Sequence, residues 1–347
     1  MTQKKLLRLY KNYSTKRTEC DCLFSVRCKT PLTLSTKTAS SLLLMKTATG
    51  NTVRFALSNF GTKVADYASA CAAVPFTFSQ EPVSRALTGK VIPNEFGLFR
   101  SDTGGCVGIH SENFGFVQPS ESLATLERAR ALVGGKWASV ASTKGGRQLA
   151  AFIQIEAQIS APKRGDKVGL SIAYFDRFDG SGKARLQLLA NVLACDNGMT
   201  KANSLVTFSE KHCGSIRERF TAMEFNLSIK LQEQIEEMQS VVNKLDTTPM
   251  GKPEMENFAR ALFPVADETE VPTRTANVRD AIVTGFARGT GNVGQTRWDA
   301  FNAVTEHLDW QGTFRETEFS REENRFESLV TGSASRIRER AMELLLN

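Results

Sequence analysis

The chain has 347 residues, of which 41% are hydrophobic and 23% are charged, a composition typical of a globular protein. Its 44 Lys and Arg residues outnumber its 37 Asp and Glu residues, and the resulting formal net charge of +7 favours a partner rich in phosphate. A membrane-spanning helix is excluded, because the longest apolar runs fall far short of the roughly 18 to 20 residues needed to cross a bilayer.

Residues 1–73 form a basic, Ser/Thr-rich N-terminal region, and we predict a domain boundary near Val74 and Pro75. Residues 1–30 hold eight basic and two acidic side chains, a segmental charge of +6. Such an arm is usually a solvated tail, although many nucleic-acid proteins use one to hold the backbone. No apolar signal segment follows the basic start, and the seven cysteines show no paired spacing, so we expect a cytoplasmic protein in a reducing compartment.

Residues 74–246 are predicted to form an α+β core domain. In chain order, its first predicted elements are strand 97–100, strand 106–110, helix 120–132 with Ser120 as the cap, and strand 136–142. Three further strands, at 148–159, 168–175 and 185–194, are joined by short turns. Short connections of this kind predict an antiparallel meander.

A long amphipathic helix follows the meander, because apolar residues recur every three or four positions. Those residues are Ile216, Phe220, Met223, Leu227, Leu231, Ile235, Met238, Val242 and Leu245. The predicted fold is therefore α+β, with an antiparallel β-β-β-α core that carries basic hairpins.

Residues 247–347 are predicted to form a helical C-terminal region. Its predicted helices are 254–263, 278–287, 298–308 and 333–346. Gly289 to Gly294 satisfies G-x-G-x-x-G, but the preceding apolar residues have helical rather than strand spacing. We therefore predict a loop between two helices instead of a dinucleotide site.

Basic side chains recur at the turns of the meander and near the start of the long helix. Charges at strand ends are often only solvated, but three separate turns of one sign favour contact with a phosphate backbone. Tyr174 is the expected base-stacking residue, whereas Phe175 is expected to be buried. The predicted nucleic-acid-binding residues are Lys144, Arg147, Lys163, Arg164, Lys167, Tyr174, Lys183, Arg185, Lys211, Arg217 and Arg219.

The inventory for catalysis is thin, since the three histidines lie in no recognisable catalytic or metal motif. We assign no catalytic residue, metal ligand or cofactor, and an enzyme is not our leading expectation. One alternative is a Mg²⁺-dependent nuclease that uses carboxylates on or beside adjacent strands. Those carboxylates are Glu156, Asp176, Asp179 and Asp196. A second alternative is a protein-binding or inhibitor factor of a mobile element.

Several segments together resemble a known family. They include residues 74–76, 99–104, 189–199, 210–217, 295–306 and 325–332. In combination they resemble an uncharacterised phage- and plasmid-borne family defined only as a domain of unknown function, over about residues 74–346. The resemblance implies a mobile-element setting and no established reaction. The polar residues that carry it are Asp102, Asn197, His212, Thr296 and Asn302.

At the level of fold alone, the β-β-β-α order with a basic rim is similar to phage single-strand annealing proteins of the Red-beta, RecT and Erf type. That resemblance implies ATP-independent annealing of single-stranded DNA by a homo-oligomeric ring or filament. It also implies a single-strand-binding protein or an exonuclease as a partner.

Overall fold

The computed structural model describes residues 60–162, 165, 167–192, 197–199, 207–289, 291–312 and 314–347, all within one compact unit, Arg54–Asn347. The strands are β1 (Thr62–Lys63), β2 (Phe78–Ser84), β3 (Val91–Arg100), β4 (Cys106–Ser111), β5 (Lys136–Thr143), β6 (Gln148–Ser160), β7 (Lys167–Arg177), β8 (Ala184–Val192), β9 (Asn197–Met199) and β10 (Thr207–Glu210). The α-helices are α1 (Tyr67–Ala73), α2 (Pro119–Val133), α3 (Ile216–Thr247), α4 (Lys252–Leu262), α5 (Thr273–Arg288), α6 (Arg297–Glu306), α7 (Arg321–Val330) and α8 (Ser333–Leu346).

Antiparallel sheets combined with a helical C-terminal region confirm the predicted α+β class. The predicted N-terminal region lies mostly outside the described residues, and the domain division at 73/74 and 246/247 stays a prediction. Within the described part of the chain, no helix is long and apolar enough to cross a membrane.

The larger sheet contains the predicted meander. Its described strands follow the order β1-β5-β6-β7-β8-β10, with β9 also paired to β8, and every pairing is antiparallel. β7 is buried from Val168 to Asp176, so the centre of the sheet is covered on both faces. Tyr174 meets Phe220 of α3 on one face, whereas Phe175 contacts Phe326 of α7 on the other. The sheet is therefore the middle layer of the unit.

The turns of the meander alternate between the two ends of the sheet. Residues 144–147 and 178–183 turn at one end, where β10 also finishes opposite Ala184. β6 finishes and β7 begins at the other end. We call these the His212 end and the Lys167 end. They are separated by the length of β7, which has 11 residues and spans about 35 Å at the usual rise of a strand.

The long helix α3 confirms the periodicity read from the sequence. Seven of the nine predicted contact residues are buried, and Leu231 and Ile235 are partly buried against the core. The apolar stripe of α3 packs across strands of the large sheet and against α2, so hydrophobic burial holds the helix in place.

A smaller sheet has the order β2-β3-β4 and contains the predicted hairpin, while β2 was not predicted. The side chain of Gln118 accepts from the Phe78 amide at 2.8 Å and donates to its carbonyl at 3.0 Å, which ties β2 to α2. Ser120 as the helix cap was wrong, because Gln118 occupies the cap position and Pro119 begins the helix. Proline suits this position, since the first helical N–H needs no partner within the helix.

The C-terminal helices include α7, which was not predicted. The Gly289–Gly294 segment lies between α5 and α6, as expected for an interhelical loop, with Thr290 outside the described residues. Its Asn292 side chain donates to the carbonyls of Gly285 and Asp299, at 3.0 and 3.2 Å. The loop is therefore fastened to the two helices that it joins.

Candidate functional site

A buried carboxylate, Asp176, lies at the His212 end of β7. Its Oδ2 accepts from the hydroxyls of Tyr174 and Ser122, both at 2.8 Å. Its Oδ1 accepts from the Arg177 amide at 2.8 Å and lies 2.6 Å from Nε2 of His212. Protein donors therefore replace the water that both carboxylate oxygens lose on burial.

The His212 ring pairs with this carboxylate. Its second nitrogen, Nδ1, lies 3.2 Å from the carbonyl of Gly115, so both ring nitrogens face acceptors. Burial alone lowers the pKa of His212, but the charge of Asp176 and its hydrogen bond to the ring outweigh burial and place the pKa above 6.5. The arrangement therefore favours an imidazolium that donates from both nitrogens.

A stack of rings covers the pair. Phe114 lies parallel to His110 with centroids 3.7 Å apart, and it also stacks on His212 at 5.1 Å. Gly180, in the β7–β8 turn, has φ +73°, and a Cβ there would lie 2.8 Å from the His110 ring. The turn can approach the stack closely because it carries glycine at this point.

The Asp176–His212 pair is enclosed by protein. Only 2% of the His212 side chain and none of the Asp176 side chain is exposed. Burial and the charge of Asp176 raise the pKa of Tyr174 well above 10, so its hydroxyl stays a donor at neutral pH. The cluster fixes the shape of the His212 end.

Four of the predicted binding residues at this end have acidic partners. Their ion pairs are Lys144–Glu327 at 3.2 Å, Arg147–Glu318 at 3.4 Å, Arg217–Glu121 at 2.8 Å and Arg219–Glu210 at 3.0 Å. Lys144 is also buried, with 9% of its side chain exposed. These side chains are committed within the protein, which weakens their attraction for phosphate.

Three other basic residues at the same end differ from these four in their ion pairing. Among the residues that the structure describes, no acidic side chain forms an ion pair with Lys183, Arg185 or Lys211, which we call the cationic triplet. Arg185 pairs with Ser209, and β10 ends at Glu210 opposite Ala184, so Lys183 and Lys211 leave the sheet side by side. Lys183 and Lys211 are exposed, and Arg185 is partly exposed.

Lys167, the remaining predicted basic residue that the structure describes, does not join this cluster. Lys167 is exposed at the Lys167 end, opposite the triplet along β7, and Lys163 and Arg164 lie outside the described residues. The structure therefore divides the predicted basic rim between two ends of the sheet.

The prediction that Tyr174 stacks on bases was wrong. Its ring is fully buried between the sheet and α3, and its hydroxyl is bound to Asp176. The adjacent Phe175 is also buried, as predicted. In a sheet covered on both faces, alternation along the strand cannot bring either ring to the surface.

Of the carboxylates considered for Mg²⁺, the three that the structure describes do not converge. Asp176 is saturated by its donors, Glu156 is exposed beside Lys136, and Asp179 accepts from Ser181 within the β7–β8 turn. Asp196 lies outside the described residues. Within the described ranges, no group of three potential metal ligands occurs.

The chain is therefore an α+β protein in which acidic partners neutralise some of the basic side chains at the His212 end. Residues 107–330 match a family described as a domain of unknown function (DUF932). The match covers more than half of the chain, so the chain belongs to this family. Neither curated proteins nor solved structures give a match.

The buried cluster of His110, Phe114, Asp176 and His212 was not predicted. Its members come from three separate segments of the sequence, and only the resemblance singled out His212. The sequence did indicate that the basic turns lie apart, because consecutive turns of an antiparallel meander must lie at opposite ends of the sheet.

Proposed function

We propose that the chain binds single-stranded DNA through the cationic triplet and anneals complementary strands without ATP, during replication or recombination of a mobile genetic element. The observation that carries this proposal is the contrast at the His212 end. Neighbouring basic side chains have acidic partners, whereas Lys183, Arg185 and Lys211 have none among the described residues and are at least partly exposed. Uncompensated cations on a surface attract phosphate.

The burial of Tyr174 supports a grip on the backbone instead of on the bases. Binding through phosphates leaves the pairing edges of the bases free for a second strand. Annealing requires free pairing edges, whereas a protein that stacks on every base must release the bases before they can pair.

Three cations per chain engage only a few nucleotides, so a long strand needs several chains. A homo-oligomer that lines up its triplets binds with much greater avidity than one chain. The likeness to Red-beta, RecT and Erf proteins supports a ring or filament, by analogy of fold alone.

The test is binding of labelled single-stranded and double-stranded oligonucleotides over about 50 to 200 mM salt, with and without Mg²⁺. On single strands the slope of log K against log salt is about 0.7 per neutralised phosphate. The double variant Lys183→Ala/Lys211→Ala should therefore lower the slope by about 1.4.

The matched control is Lys230→Ala/Lys252→Ala, which removes the same charge from exposed positions on α3 and α4. Equal loss in both double variants would show that net charge alone drives binding and would contradict the site. Oligonucleotides shortened only with Mg²⁺ would favour a nuclease. No binding at low salt would favour a protein partner. Annealing is then measured without ATP as fluorescence quenching between complementary labelled strands. Wild-type protein should accelerate this quenching.

A further inference from the structure

The turn between β2 and β3 is a narrow hairpin tip formed by residues 85–90. The Arg85 amide donates to the Lys90 carbonyl at 2.9 Å, and the Gly89 amide donates back to the Arg85 carbonyl at 2.8 Å. Gly89 has φ +65°, a conformation that other residues adopt only with strain. The hydrogen bonds and this glycine hold the tip in one shape.

Leu87 projects from that tip and is 99% exposed. Val91, one residue beyond the turn, is 55% exposed. A leucine that contacts nothing in its own chain gains no stability from burial, so this side chain is free to contact a ligand.

Two cations flank the leucine. Arg85 and Lys90 are exposed, and their backbones are bonded across the base of the turn. No acidic side chain forms an ion pair with either of them in the described part of the chain. The tip therefore presents one apolar side chain within a basic collar, which complements a polyanion.

We propose that this hairpin is a wedge for nucleic acid, in which Leu87 inserts between neighbouring bases while Arg85 and Lys90 contact the phosphates on either side. Apolar side chains that unstack base steps, supported by basic neighbours, are an established mode of contact with nucleic acid. The ligand class rests on the proposed function, but the wedge is a second site, separate from the cationic triplet.

The wedge gives the proposed annealing activity a step that the triplet cannot supply. Cations hold phosphates and leave base stacking unchanged, whereas an inserted leucine separates stacked bases. A lipid surface is a poorer match, because stable anchoring to a bilayer takes more apolar surface than one leucine and a half-exposed valine.

The experiment uses the full chain and a single-stranded oligonucleotide that contains 2-aminopurine, whose fluorescence rises when it is unstacked. Wild-type protein should brighten the probe at saturation. Leu87→Ala should lose most of the brightening and bind up to about tenfold more weakly. Leu87→Met, which keeps an aliphatic wedge of similar size, should restore the brightening. The matched control is Ile109→Ala, which removes a 58% exposed side chain from β4 of the same sheet and should behave as wild type.

The outcomes separate the wedge from the proposed function. If wild-type protein binds the probe but Leu87→Ala brightens it as strongly, the wedge is overturned and binding through the triplet stands. If wild-type protein does not bind any oligonucleotide, both proposals fail. Binding to phosphatidylserine vesicles that Leu87→Ala abolishes would assign the tip to lipid and overturn the wedge. Unchanged thermal melting of Leu87→Ala would show that the variant is folded.

Discussion

Among single residues, Asp176 depends most strongly on hydrogen bonds from the surrounding protein. A buried carboxylate is stable only when donors replace the water that it has lost, and Asp176 receives them from a tyrosine, a serine, a backbone amide and His212. Because these donors come from α2, β7 and the segment after β10, one side chain joins three parts of the fold.

Asp176→Asn should destabilise the protein by about 3–5 kcal/mol, because the amide cannot accept from all of these donors and leaves the buried His212 without its anion. The free energy of unfolding in urea measures this. Asp179→Asn, in the adjacent turn, is the control and should cost no more than about 1 kcal/mol. Similar losses for the two variants would contradict the role given to the buried pair.

The two buried histidines should give stability a maximum near pH 6.5. The raised pKa of His212 contributes stability that is fully present below the unfolded value of 6.5 and is lost as pH rises through the folded pKa. Burial lowers the pKa of His110, despite opposing effects of the Phe178 backbone and Asp179, so its contribution is present above 6.5 and is lost as pH falls through the lowered pKa.

Urea midpoints measured from pH 5 to 9 test whether stability declines on both sides of pH 6.5. His212→Gln should remove the decline on the alkaline side, and His110→Gln should reduce the decline on the acidic side. A decline above pH 6.5 that persists in His212→Gln would assign it to another group.

Among the elements, α7 is fastened to the sheet by both apolar and charged contacts. Phe326 stacks on Phe60 at 4.0 Å and contacts Phe152 and Phe175, while Glu327 pairs with Lys144 and Arg177. The turn that begins with Lys144 was predicted to bind nucleic acid, and in the structure it is attached to the C-terminal region through Glu327.

Glu327→Ala should destabilise the protein by about 3 kcal/mol, because it leaves the buried Lys144 and the partly buried Arg177 without their shared anion. Glu318→Ala should change stability by about 0–1 kcal/mol, because the Glu318–Arg147 pair is largely exposed. Chemical denaturation of the two variants checks the difference. Equal effects would mean that the Glu327 contacts do not anchor α7.

Elements with strong periodicity were predictable from the sequence, and elements fixed by tertiary contacts were not. The nine apolar positions of α3 and the alternation along β6 predict those elements directly. β2 carries Pro82 and few apolar residues, so its identity comes from pairing with β3. For α7 a signal existed, because Ser320 and Glu323 form a capping box before Phe326.

For the whole molecule, topology decides which charges act together. The pattern of basic turns was visible in the sequence, but ion pairs neutralise four of the predicted binding residues, three of them through partners far away in the chain. Such partners cannot be read from local spacing. The surviving triplet and the +6 segment at residues 1–30 together account for the predicted attraction to DNA.

The combined variant Lys4→Ala/Lys5→Ala/Arg8→Ala/Lys11→Ala should weaken binding to single-stranded DNA and lower the salt slope by up to about 2.8, because it removes four cations. Its effect should add to that of Lys183→Ala/Lys211→Ala, since independent sites contribute additively. A salt titration of the three proteins measures this. A slope unchanged from wild type would limit the DNA contacts to the rest of the chain.

The cover that α7 provides for the sheet also affects how the chain is made. Phe175 is synthesised roughly 150 residues before Phe326, an interval on the order of ten seconds at common translation rates. Throughout that interval one face of the nascent meander has no α7 to cover it. A ribosome that stops before α7 therefore releases a chain with an exposed aromatic surface, so C-terminal truncation should produce aggregation rather than a smaller working protein.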